Sequence, residues 1–179
     1  MTVFIKDSYQ RVILWENQTQ DKSHRRLSPI GEIRWWAKHH ALQKVFGHFG
    51  KPDNGLFIDA VLTLEAIEQQ AKEKPSVRAR ARGFKEGLLK YETILPAQLF
   101  LRVFEQISPL SKYLQTKGME ILSAHRMVTA TQVSLKSITR DFTTVKAAAD
   151  TFVKWTIGKL EKGEEEPSLK WRLHCLRKE

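Results

Sequence analysis

The chain has 179 residues, of which 41% are hydrophobic and 28% charged, with a formal net charge of +10 and one cysteine. That composition is globular rather than disordered, and it supplies core for one domain and hardly for two. Cys175 alone excludes an internal disulfide and a cysteine-based zinc site within these residues, no apolar run approaches the roughly 20 residues that span a bilayer, and Lys6, Asp7 and Arg11 interrupt what would be the apolar stretch of a signal peptide. An intracellular, reducing compartment is the expectation.

Residues 2–17 read as a helix with Val3, Ile5, Tyr9, Val12, Ile13 and Trp15 on a broad apolar face. The chain is polar from Asn17 to Gly31, with a turn or helix start at Ser28-Pro29. A second helix is expected over 32–46, with Trp35, Leu42, Val45 and Phe46 inward. Gly47, Gly50, Pro52 and Gly55 then mark a loop in which Asp53 or Asn54 can cap a third helix, about 55–71. A fourth runs over about 77–93 with Phe84, Leu88 and Tyr91 on its apolar side. Pro96 kinks it or begins another, and Ser108-Pro109 has the chemistry of an N-cap and first-turn proline opening a short helix through Leu114.

After Gly118 no Pro or Gly occurs until Gly158, and Ile121, Ala124, Val128, Thr131, Leu135, Ile138, Phe142, Val145, Ala149 and Phe152 recur at spacings of three and four. This places them on one stripe of a long helix, about 119–160. Such a helix would be roughly 60 Å long, against a diameter of about 40 Å for a globule of this chain length. It must bend or break, project from the body, or meet a partner, so a homo-oligomer through this stripe is one reading. Residues 163–179 are acidic and then basic without a clear period, and are expected to form a disordered tail. The fold class is all-α: an irregular multi-helix domain over 1–162.

The positive charge is concentrated. Lys22 to Lys51 holds seven Lys or Arg against Glu32 alone, Lys72 to Lys90 holds seven against Glu73 and Glu86, and the remainder is close to neutral. Two basic regions on a balanced chain suggest a polyanion partner, ordinarily nucleic acid, although solvated basic faces give the same pattern. Arg34-Trp35-Trp36 with Lys38 sets stacking surfaces beside phosphate-binding charge, as proteins that hold unpaired bases do. Packing of one Trp into the core and the other over a neighbouring helix accounts for the pair as well. Arg78, Arg80 and Arg82 alternate with small residues: in a helix Arg78 and Arg82 share a face, and with Lys85 they can follow a phosphate backbone or simply form an exposed helix start.

No glycine-rich phosphate loop, nucleophile motif or metal-spaced His/Cys set is present. His39 and His40 point about 100° apart on a helix and cannot grip one ion together. Asp7, Asp53, Asp59, Glu65, Asp141 and Asp150 are each accounted for by helix caps or solvated faces. No metal, cofactor or catalytic activity is expected.

The run RLSPIGEIRWWAKHHALQKVFG (26–47), the stretches 54–68 and 81–131, and ITRDFTTVKAAADTFVKW (138–155) resemble hAT-superfamily DNA transposases, in particular the domesticated copies often labelled zinc-finger MYM-type or TTF-type domain proteins. The similarity runs from about Val3 to Leu160. It implies a fragment, the helical insertion that interrupts an RNase H-like core with an Asp-Asp-Glu triad; neither those carboxylates nor the zinc-finger cysteines have a counterpart here. The family's Thr-Arg-Trp motif matches Ile33-Arg34-Trp35, with Ile33 in place of the Thr. The resemblance implies that Arg34 and Trp35 contact DNA, and that the domain is nuclear and without catalysis of its own. A protein-interaction module using the long helix, and a transposon gene fragment with no selected function, are the competing readings.

Overall fold

A computed structural model describes residues 1–19 and 35–162, and these are carried by eight helices: α1 (Thr2–Lys6), α2 (Tyr9–Gln18), α3 (Trp35–Phe46), α4 (Phe57–Gln69), α5 (Pro75–Leu88), α6 (Tyr91–Tyr113), α7 (Ile121–Ile138) and α8 (Phe142–Lys162). Among the described residues there is no strand, only an isolated bridge between His48 and Lys51, so the all-α expectation is met. No helix among them is long and apolar enough to cross a membrane. The tail 163–179, the expected turn at Ser28-Pro29 and the expected helix start at 32 lie outside the described residues.

The molecule is built around α4, one of its shorter helices. α4 is apolar on nearly every side, the mark of a helix with no solvent face. Phe57 and Val61 enter one core cluster with Phe46 of α3, Ile94 and Leu101 of α6, and Phe152 and Leu160 of α8. Ala60, Leu64 and Ile67 enter a second with Phe4 and Ile5 of α1, Trp15 of α2 and Ala81 of α5. The rings of Phe46, Phe57 and Phe152 meet at centroid distances of 4.9 to 5.6 Å, Phe57 and Phe152 edge to face, a geometry aromatic quadrupoles favour. Gly47 ends α3 with φ +75°, and a Cβ there would stand 2.6 Å from the Lys51 carbonyl oxygen; only glycine fits.

The structure redraws four element boundaries. The expected helix 2–17 is two, because Ser8 is extended (φ −143°, ψ 132°) and α1 folds back on α2. Arg11 holds that fold: its buried guanidinium donates to the Phe4 carbonyl and lies 4.5 Å from the Phe4 ring centroid. Asp53 does not cap α4, whose N-cap is Leu56 without a side-chain bond. Instead Asp53 accepts from Trp155 Nε1 at 3.1 Å, tying the 47–56 loop to α8.

The expected fourth helix ends at Leu88, and α6 then runs unbroken through both Pro96 and Pro109 for 23 residues. Each proline costs a helix interior about 3 kcal/mol. α6 packs on α3, α7 and α8 together, and that burial keeps it whole.

The long C-terminal helix, by contrast, is two helices. α7 stops at Ile138, and Asp141 caps α8 by accepting from the Thr144 backbone N–H at 3.2 Å and from the Thr144 hydroxyl. Arg102 of α6 donates to both the Asp141 carbonyl (2.9 Å) and its carboxylate (3.0 Å). The periodic stripe is therefore divided: Val145, Ala149 and Phe152 sit in the core, whereas Ala124 is the one residue of α7 that is buried.

Candidate nucleic-acid interface

The first basic region enters the described structure at Trp35, the opening residue of α3; Arg34 lies outside it. α3 packs along α6, and this sets the Trp35 ring 5.9 Å from that of Phe104 while leaving Trp35 54% exposed. Phe100, one turn earlier on α6 and 50% exposed, stacks with Phe104 at 5.8 Å and 24°. Lys38, one turn along α3, holds its ammonium 5.1 Å from the Trp35 ring centroid, within cation–π range. The result is a strip of three rings, two open to solvent, with a cation at its edge. Trp35 and Lys38 are thus brought together, but Trp35, expected to face inward on this helix, is instead open to solvent over half its surface. Phe100 is the residue that sequence reading missed, because its helical period marks it as one more apolar position of α6.

The second basic region is arranged quite differently. α5 packs on α4, where Glu65 and Glu68 face it. Arg78 Nε donates to the Glu68 carbonyl at 2.8 Å, and Arg82 Nε to the Glu68 carboxylate at 2.7 Å. That bond and the charge of Glu68 raise the Arg82 pKa above its ordinary value. The Arg80 guanidinium lies 5.5 Å from the Phe4 ring and 5.9 Å from the Phe84 ring, on an exposed side chain.

Lys85 is a correction to the expected site. It is fully buried, its ammonium paired with Glu65 and with Glu68, the latter at 2.5 Å. A group enclosed in this way cannot reach a phosphate. The two glutamates offset much of the positive charge that the linear sequence concentrates here, and an alignment of charges twenty residues away was not visible in it. The cations of this region that face solvent are Lys72, Lys74, Arg80, Arg82 and Lys90.

Comparison with family models, curated proteins and solved structures finds no match to this chain.

Three further groups have pKa values displaced by their surroundings. His39 has its pKa lowered, chiefly by burial and then by the neighbouring His40 and His48. Tyr91 donates to Asp150 at 3.0 Å, and burial together with that bond raises its pKa to about 12. Asp141 is held at about 2 by its bonds to Thr144 and Arg102. Among the described residues no group of three or more His, Cys, Asp or Glu is placed to hold a metal ion.

What this arrangement can do is bind by stacking and by charge. The strip on α3 and α6 offers flat apolar rings to unpaired bases, and the exposed cations offer non-directional attraction to phosphates.

Proposed function

We propose that this chain is a transposase-derived helical domain, nuclear, that binds nucleic acid with little sequence preference and has no catalytic activity of its own. The observation that carries the reading is the exposed Trp35–Phe104–Phe100 strip beside Lys38 on a chain of net charge +10. The resemblance of residues 26–47 and 81–131 to hAT-superfamily transposases supports it from the sequence side, since Trp35 stands in the family's Arg-Trp motif. Contacts of the phosphate type come from Lys38, Arg80 and Arg82, with Arg78 and Arg82 also braced by Glu68.

The test is a salt series. Fluorescence anisotropy with labelled single strands and duplexes should show affinity falling linearly on a log–log plot of added salt, with similar constants for unrelated sequences. Affinity that is absent at low salt, or unchanged between low and moderate salt, would overturn the proposal.

A second reading rests on α7, which packs on α6 and leaves Ile121, Leu122, Val128 and Val133 exposed. In that reading the domain joins other proteins, or another copy of itself, through α7. Self-association that survives high salt, seen by sedimentation, would favour it.

A further inference from the structure

α7 has an inward side and an outer one. Inward, towards α6, Ala124 is buried and Met127, Thr131, Leu135 and Ile138 are half-buried. Outward, Leu122, Arg126, Thr129, Val133 and Lys136 are all exposed and lie four, three, four and three residues apart. That spacing makes them one row along the helix, about 21 Å long. Leu122 is 66% exposed and Val133 63%, and Ile121 and Val128, exposed as well, border the row. Apolar groups gathered in this way among polar ones mark a surface that another molecule covers.

Charge decides which molecule. From Ile121 to Arg140 there is no Asp or Glu, while Arg126, Lys136 and Arg140 are exposed and have no ion-pair partner among the described residues. A second copy of α7 is a poor occupant. Laid parallel, it sets Arg126 and Lys136 each against its own counterpart; laid antiparallel, it sets Leu122 against Lys136 and Arg126 against Val133, with no acid for either cation. A bilayer fits no better, because Arg126 stands within the row and would be buried along with Leu122 and Val133. Phosphates would use the cations and leave the aliphatic groups uncovered.

We propose that the outer face of α7 docks an acidic amphipathic helix of a partner protein, whose aliphatic side chains cover Leu122 and Val133 and whose carboxylates pair with Arg126 and Lys136. The proposal rests on the reading of α7 as an interaction surface and names the chemistry of its partner. Recognition of this kind uses anchors three and four residues apart on both helices, the spacing the row displays. The apolar anchors supply affinity, and the cations select against basic or neutral helices.

The experiment is titration of the whole chain with a synthetic helical peptide of about 20 residues, carrying Leu at spacings of three and four and Glu on both flanks. The same peptide with Lys for Glu, and a scrambled one of identical composition, are the controls, with amide chemical shifts locating the contact. The acidic peptide should bind with a dissociation constant on the order of 10 μM, and the controls at least about tenfold more weakly. Arg126→Glu with Lys136→Glu should reverse the preference between the Glu and Lys peptides, and Leu122→Ser with Val133→Ser should weaken both. All four side chains are exposed, and circular dichroism establishes that the variants are folded. Absence of binding at about 1 mM, equal affinity for the control peptides, or shifts confined to residues away from α7 would each overturn the proposal. So would uptake by phosphatidylserine vesicles, or binding of duplex DNA, that the α7 variants abolish while the acidic peptide fails to bind. Self-association of the free chain lost in Leu122→Ser with Val133→Ser would overturn the acidic partner and leave α7 an interaction surface.

Discussion

Lys85 lies five residues beyond Arg80 on α5, yet its ammonium is enclosed between Glu65 and Glu68 while Arg80 faces solvent. Substitution should separate stability from binding at these two positions. Lys85→Met leaves two carboxylates facing each other at about a tenth of full exposure, and breaking a buried pair in this way costs about 3–5 kcal/mol. Thermal denaturation should show a large fall in Tm; an unchanged Tm would show that Lys85 is not enclosed. Arg80→Glu should leave Tm nearly unchanged and weaken binding to every nucleic-acid sequence alike. Trp35→Ala acts on the stacking strip, so it should cost single strands about 1–3 kcal/mol and duplexes much less, as anisotropy with both probes would reveal. Equal losses on the two probes would mean that Trp35 contributes packing and not stacking.

At the scale of the elements, the division of the C-terminal stripe into α7 and α8 depends on Asp141. Its carboxylate caps α8 and receives Arg102 from α6. The folded-state pKa of about 2 lies below the ordinary 3.8. A depressed carboxylate pKa means stability that is present above the unfolded value and lost as pH falls through the folded one. Asp141→Asn should therefore lower Tm at neutral pH, and the difference from the parent chain should close as pH falls from about 4 towards about 2. A difference undiminished at pH 2 would place its origin outside the ionised cap. α7 is held by α6 and buries only Ala124, so amide exchange over 121–138 should be faster than over α4 or the middle of α8. Protection of α7 equal to that of α4 would point to a face covered in solution.

The sequence shows where these elements begin and end only when local chemistry decides it. Pro75 opens α5 as a first-turn proline does, two residues before the expected start at 77, and Gly47 and Gly118 take the positive φ angles their places suggest. Pro96 and Pro109 are misleading because three neighbouring helices outweigh them. Asp7-Ser8 and Thr139–Asp141 break helices without any Pro or Gly; the causes, Arg11 turned inward and Arg102 reaching from α6, are contacts between helices.

For the molecule as a whole, the organising helix is α4, where two core clusters meet, and not the long periodic stretch that dominates the linear sequence. α3 and α5, the two basic helices, are carried by different supports, α6 and α4. The steepness of the salt dependence reports how many cations act together: a slope near that for one or two phosphates fits the α3 strip alone, and a steeper one requires α5 as well.

The sequence by itself determined that this chain is helical, that it carries excess positive charge and that its apolar residues suffice for one core, because period and composition are properties of the chain alone. Which cations remain available was decided by tertiary structure. Glu65 and Glu68 reach Lys85, Arg78 and Arg82 only once α4 and α5 lie side by side, and Trp35 joins Phe104 and Phe100 in one aromatic strip only once α3 lies along α6.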